Sequence, residues 1–285
     1  MGIDLLKQRI ITALFLAPIA ILGIFFLPTS GLAIALTIIF FISAYEWAGL
    51  ITQKLFSRMV YTTSFCVLWG VGYLFFHLTS LAHSSSIFYL FVIAGIFWLI
   101  ALVLVLSYSH TNQLLHRSIL FKWAAGLLAL LPFGWSVLTL RSVSIDPSVG
   151  AGWVVYVLLL VWAADSGAYF TGRQFGRLKL APKVSPKKTV EGLAGGLILA
   201  MVVCFITLTF FKPHVQSAWV FAGCSLLTAL ASVIGDLFES MLKRDAGIKD
   251  SGTLLPGHGG LLDRIDSLTA ALPVFTLCYL LWITS

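Results

Sequence analysis

The chain has 285 residues, 59% of them hydrophobic and 10% charged, with a formal net charge of +7. Its mean hydropathy of +1.00 sets it far from soluble globular domains, which carry about 25% charged residues. That composition excludes an ordinary water-soluble domain and points to a lipid bilayer as the partner, with no nucleic acid polymer expected.

Nine apolar stretches follow one another: Ile10–Leu27, Gly31–Ile51, Met59–Phe76, Ile87–Leu106, Trp123–Leu140, Trp153–Phe170, Leu193–Phe211, Trp219–Leu237 and Leu268–Ile283. Each is close to the roughly 17–25 residues that cross a ~30 Å hydrocarbon core as a helix. Closed β-barrels are the other spanning structure, but period-2 alternation is absent and the runs are too long for ~10-residue strands. The expected fold is all-α, a polytopic integral membrane protein of about nine transmembrane helices.

The first stretch follows Lys7 and Arg9 and looks like a signal peptide. It exceeds the usual h-region of about 7–15 residues and leads into no exportable soluble domain, so it reads as a retained helix. In the second stretch, Glu46 is read as a structural carboxylate pairing with Lys54 or Arg58 near the interface. Cys66, Cys204, Cys224 and Cys278 all lie in apolar stretches without a CxxC pair, which suits buried packing thiols rather than disulfides or zinc. Eight of the eleven acids lie between Asp165 and Asp266. Residues 1–150 therefore read as transmembrane scaffold, and 151–285 as a catalytic region with two charged loops.

Asp165 sits near the end of the sixth stretch, in VWAADSGAYF. The loop that follows, GRQFGRLKLAPKVSPKKTVEG, carries Arg173, Arg177, Lys179, Lys183, Lys187 and Lys188. Ser185 before Pro186 reads as an N-cap and N1 pair, so a helix is expected to begin there. Its free N–H groups, with Lys187, Lys188, Thr189 and Glu191, would make a phosphate site. The plainer alternative is a basic loop on anionic lipid heads, at about 1 kcal/mol per base.

Asp236 ends the eighth stretch and shares a helical face with Glu239 and Ser240, while Asp263 and Asp266 open the ninth. A carboxylate within a membrane costs roughly 2.5–3.5 kcal/mol. Two of them ~4 Å apart repel by about 4 kcal/mol at an effective dielectric of 20, so a shared proton or a cation must relieve them. For hard oxygen ligands at a phosphate site the expected cation is Mg²⁺.

Between these acids runs SMLKRDAGIKDSGTLLPGHGGLLDRID, residues 240–266. Lys243, Arg244 and Lys249 can neutralise phosphates, Gly259 and Gly260 allow close backbone approach, and Arg264 can grip a phosphate or carboxylate in two places. His258 is a candidate proton carrier, with a hydrogen-bonding loop role as the alternative. Neither GxxxxGK[ST] nor HExxH occurs.

The connections that alternate from the N-terminus hold 16 of the 18 Lys and Arg residues, leaving Arg141 and Lys212 for the other side. The positive-inside rule then puts the N-terminus and both charged loops in the cytoplasm and the C-terminus on the opposite side.

The run 240–266 resembles the hallmark of the CDP-diacylglycerol synthases, or phosphatidate cytidylyltransferases, through S-x-x-K-R, K-D (Lys249, Asp250), H-G-G and D-R-x-D. SPKKTVEG at 185–192, DSGAY from Asp165 and KQRIITALFLAP near the N-terminus are also similar to that family. The resemblance implies transfer of CMP from CTP to phosphatidate, a homodimer, and a centre of Mg²⁺ with nearby K⁺ whose ligands fall on Asp236 and Asp263. It also implies a bacterial inner membrane with the site facing the cytoplasm. Lys243, Arg244, Lys249, Asp250, His258, Arg264 and Asp266 would act in catalysis. Asp165, Ser185, Lys187, Lys188, Thr189, Glu191, Ser240, Gly259 and Gly260 would bind substrate. Two other readings stay open: a CTP-dependent lipid kinase, and a secondary transporter of an anionic solute.

Overall fold

The computed structural model describes residues 15–79, 85–108, 118–213, 215–254 and 259–283. Nine α-helices occur among them: α1 (Phe15–Phe26), then α2 (Thr29–Ile51), α3 (Leu55–Thr79), α4 (Ser85–Ser107), α5 (Ile119–Arg141), α6 (Pro147–Phe175), α7 (Val190–Ile206), α8 (Ala218–Asp245) and α9 (Leu262–Cys278). Single π-helical turns, Thr207–Phe211 and Tyr279–Ile283, extend α7 and α9. Seven of the helices are long and apolar enough to cross a membrane; α1 and α3 are not among the seven.

Polar and apolar side chains are sorted as lipid would require. Helix α7 leaves Ile198, Val202 and Phe205 exposed along one face, a surface that water would penalise. Hydroxyls turn inward instead. Ser225, Thr228 and Thr276 are fully buried and each donates to the carbonyl one turn earlier in its helix, so none of these three donors is left bare in the apolar interior. The four cysteines are free thiols.

Aromatic side chains knit the halves into one core. Phe40 of α2 meets Phe65 and Trp69 of α3 and Phe133 of α5, edge to face. Phe238 of α8 packs on Phe97 and Trp98 of α4. The expected scaffold thus holds the second half directly.

Contacts between helix ends separate two ends of the bundle. At one, Lys122 Nζ at the start of α5 donates to Leu50 O at the close of α2, and the α8–α9 connection reaches Glu46. At the other, Arg141 at the close of α5 donates to Ile24 O of α1, and Gln216 N donates to Ile283 O. The basic connections described below gather at the first end.

One sequence expectation fails here. Residues Ser185–Thr189 form strand β2, paired antiparallel with β1 (Lys179–Ala181) in the register Lys179↔Thr189 and Ala181↔Ser185. Helix α7 begins at Val190, after Thr189, whose hydroxyl accepts Gly192 N at 3.1 Å. Ser185–Pro186 is compatible with a helix start, but cross-strand pairing takes the segment into the hairpin and moves the cap four residues on.

Candidate active site

At the basic end of the bundle, α6, α8, α9 and the hairpin bring Asp165, Asp236, Glu239, Asp263 and Asp266 within electrostatic range of Lys188, Lys243 and Arg264. Lys243, in the last turn of α8, is 8% exposed. Its ammonium lies 2.7 Å from Asp263 Oδ1 and 3.1 Å from Glu239 Oε1, one turn back on its own helix. From β2, Lys188 reaches Asp236 Oδ2 at 2.6 Å. Ser240 donates to Asp236 Oδ1 at 3.3 Å, the one-turn relation that their spacing predicts.

Close helix packing sets this arrangement. A Cβ on Gly235 would stand 2.5 Å from Asp266 O, so glycine lets α8 and α9 approach beside Asp236 and Asp266. Asp263 also folds the loop before α9, where its Oδ2 accepts Ser251 N at 2.9 Å and Gly260 N at 2.8 Å. Both lone pairs of that oxygen are thereby used within the protein, leaving Oδ1, shared with Lys243, as the side open to further chemistry.

In donor type, though not in arrangement, the cluster suits a hard cation. It is made of carboxylate oxygens, the class that Mg²⁺ takes, and five carboxylates face three bases. Buried Glu239 has no hydrogen bond to either oxygen; its 3.1 Å contact with Lys243 is an ion pair without hydrogen-bond alignment. Among the described residues no group of three or more His, Cys, Asp or Glu is arranged to hold a metal ion. Asp236 and Asp263 are each engaged by a different lysine.

Residues 7–282 match the model of the Cytidylyltransferase family. The chain belongs to that family. The phosphatidate cytidylyltransferase of Haemophilus influenzae is 39% identical over 284 residues, covering 96% of this chain and 99% of the relative. That of Pseudomonas aeruginosa is 41% identical over 282 residues, 98% of this chain and 97% of the relative. One from Staphylococcus aureus is 42% identical over 130 residues, 46% of this chain.

Arg244 and Arg264 are exposed at the cluster, and Arg244 Nε also donates to Val184 O, tying α8 to the hairpin. Lys249, Asp250 and Lys187 are exposed beside it. The side chains of Thr189 and Glu191 are committed to structure: Thr189 caps α7, and Glu191 accepts the N–H groups of Arg177 and Leu178. The helix start expected at Ser185–Pro186 is therefore not formed, since 185–189 are strand and the Thr189 hydroxyl caps Gly192 N. His258 lies outside the described residues, whereas Gly259 and Gly260 are placed at the entry to α9.

Glu46 also departs from its sequence reading. Its carboxylate engages neither Lys54 nor Arg58; Arg58 stacks over the Tyr45 ring at 4.0 Å and donates to Tyr45 O. Glu46 instead accepts Leu261 N, Leu262 N and the Ser251 hydroxyl. Sequence pattern offers no signal for that role, because backbone N–H groups are invisible in it. An acid buried in an apolar stretch was the available hint.

Proposed function

We propose that this chain transfers CMP from CTP to phosphatidate, giving CDP-diacylglycerol and pyrophosphate. One observation carries the reading: the S-x-x-K-R and D-R-x-D residues of a chain matched to its family over 7–282 meet in one cluster at the basic end of a membrane-type bundle. A nonbridging oxygen of the phosphatidate phosphate attacks the α-phosphorus of CTP. The bond from that phosphorus to the α–β bridging oxygen breaks, and pyrophosphate leaves with the electron pair. The nucleophile is already ionised, so no general base is required, and the protein contributes positioning and charge neutralisation.

Lys243, Arg244 and Arg264 supply fixed positive charge to the reacting phosphates, with Lys249 at the edge. Preorganised charge of this kind is most effective where water is excluded, and Lys243 is almost wholly enclosed. Asp236 and Asp263, with Asp165 and Asp266 beside them, would hold Mg²⁺. When bound, the ion neutralises triphosphate charge and polarises the α-phosphoryl group.

The same reading has nine spans, with the basic end of the bundle facing the cytoplasm of a bacterial inner membrane. The 16-to-2 division of basic residues supports it, as does the alternation of connections between the two ends. CTP then arrives from water while the lipid stays in the bilayer. The deciding experiment incubates the purified chain in detergent micelles with phosphatidate, Mg²⁺ and CTP labelled at the α- or γ-phosphorus. Label from the α position is expected in the lipid product. Lipid labelled from the γ position would instead make the chain a kinase.

A further inference from the structure

Glu46 lies near the close of α2 and is 5% exposed, 216 residues away in sequence from the amide it holds most closely. Oε2 accepts Leu262 N at 2.7 Å and the Ser251 hydroxyl at 3.3 Å, and Oε1 accepts Leu261 N at 3.1 Å. Among the described residues it makes no ion pair. A buried carboxylate with no cation is costly unless hydrogen bonds meet its charge, and here backbone N–H groups at a helix start meet it.

That helix start has no cap of its own. Leu261 occupies the N-cap position of α9 without a side-chain hydrogen bond, and the first four N–H groups of a helix lack internal partners. Glu46 provides from α2 what a Ser or Asp ordinarily provides locally, and its charge suits the positive end of the helix dipole. The preceding loop is shaped around it: a Cβ on either Gly252 or Gly260 would run into the Glu46 carboxylate. Ser251 joins the two acids of this region, giving its N–H to Asp263 and its hydroxyl to Glu46.

We propose that Glu46 is a positioning residue for the transfer. Without touching a substrate, it fixes the first turn of α9 and so the placement of Asp263, Arg264 and Asp266. The proposal rests on the activity assigned above, but half of its test does not.

The full chain is purified in detergent as wild type, Glu46→Ala, Glu46→Gln, Gly252→Ala and, as a control, Trp47→Phe. For each, kcat and both KM values are measured, with melting temperature and amide hydrogen exchange over 251–262. Glu46→Ala should lower kcat about tenfold or more, since small misplacements of reacting groups are expensive, with both KM values within about threefold. Exchange across 259–262 should quicken. Glu46→Gln should behave similarly, because its NH₂ must face an N–H or O–H donor wherever it points. Gly252→Ala keeps the carboxylate but pushes it aside and should also lower kcat; it carries the test if the Glu46 variants do not accumulate. Trp47→Phe removes a neighbouring buried hydrogen bond to Lys122 O. It should lower the melting temperature and leave kcat alone.

Turnover within about twofold of wild type in the Glu46 variants overturns the proposal. So does unchanged exchange across 259–262, or an equal loss of kcat in Trp47→Phe. A wild-type chain that makes no CDP-diacylglycerol removes the assigned activity instead, and the exchange data still decide whether Glu46 holds the loop.

Discussion

The ammonium of Lys188 stands 2.6 Å from Asp236 Oδ2, so strand β2 is pinned to α8 at one of the acids assigned to the metal. The adjacent Lys187 is exposed. Consecutive lysines therefore have different work, although a helix start would have given both a similar relation to phosphate.

Kinetics of the two alanine variants should separate them. Lys188→Ala leaves Asp236 without its ion-pair partner and should lower kcat about tenfold or more, whereas Lys187→Ala should change kcat and KM by less than about threefold. Steady-state assays varying CTP and phosphatidate separately check this. Equal effects would mean that the strand register does not govern the site.

Asp263 should tolerate substitution worse than Asp236 in stability. Asp236→Asn and Asp263→Asn are both expected to abolish turnover, each removing a charge from the cation-binding set while keeping side-chain size. Asp263→Ala also strips Ser251 N and Gly260 N of their acceptor, and a buried unsatisfied donor costs about 1–3 kcal/mol. Thermal melting should show a distinctly larger drop for Asp263→Ala than for Asp236→Ala. Equal melting temperatures would mean that Asp263 does not organise the loop.

Metal dependence gives a separate check. Chelation of divalent cations should abolish product formation by the wild type, and added Mg²⁺ should restore it. In Asp236→Asn, a higher Mg²⁺ concentration should be needed for whatever activity remains. Full activity in chelator would remove the metal from the reading.

The apolar stretches revealed the helices because burial and lipid exposure both act through hydrophobicity, which sequence displays directly. Ser240 beside Asp236 was legible for a similar reason, since helical spacing alone puts them one turn apart. The hairpin was not. Ser-Pro carries the local chemistry of a helix start, and its alternative depends on pairing with Lys179–Ala181 across the turn 182–184, where Pro182 was the available signal and Val184 N donates to Ala181 O. Glu46 was hidden more deeply: its partners at Leu261 and Leu262 are amides, and their side chains say nothing of them. Local periodicity thus exposed the elements, while the loop geometry at the site rests on contacts across the chain.

The capping role of Thr189 follows from the corrected helix start. Thr189→Val keeps shape but removes the oxygen that accepts Gly192 N, and loss of an N-cap costs about 1 kcal/mol. Thr189→Ser should retain most of the wild-type melting temperature, and Thr189→Val should fall below it. A Thr189→Val chain that melts with the wild type would mean that the hydroxyl cap contributes nothing.

Reporter fusions test which end of the bundle meets the cytoplasm. Gly252 lies in the connection that folds around Glu46, and Val184 lies in the hairpin bound by Arg244, so reporters placed at these positions should give the same answer. Gln216 and Ile283 are hydrogen-bonded to each other at the far end. A reporter inserted at Gln216 or fused after Ser285 should therefore give the opposite answer, periplasmic if the basic end is cytoplasmic. The contrast depends on contacts within the bundle, and its sign on the 16-to-2 division of basic residues. Agreement between the Gly252 and Gln216 reporters would break the two-ended arrangement itself. A reversed sign would keep the bundle but turn the charged cluster away from CTP, and the proposed reaction could not then draw its nucleotide from the cell.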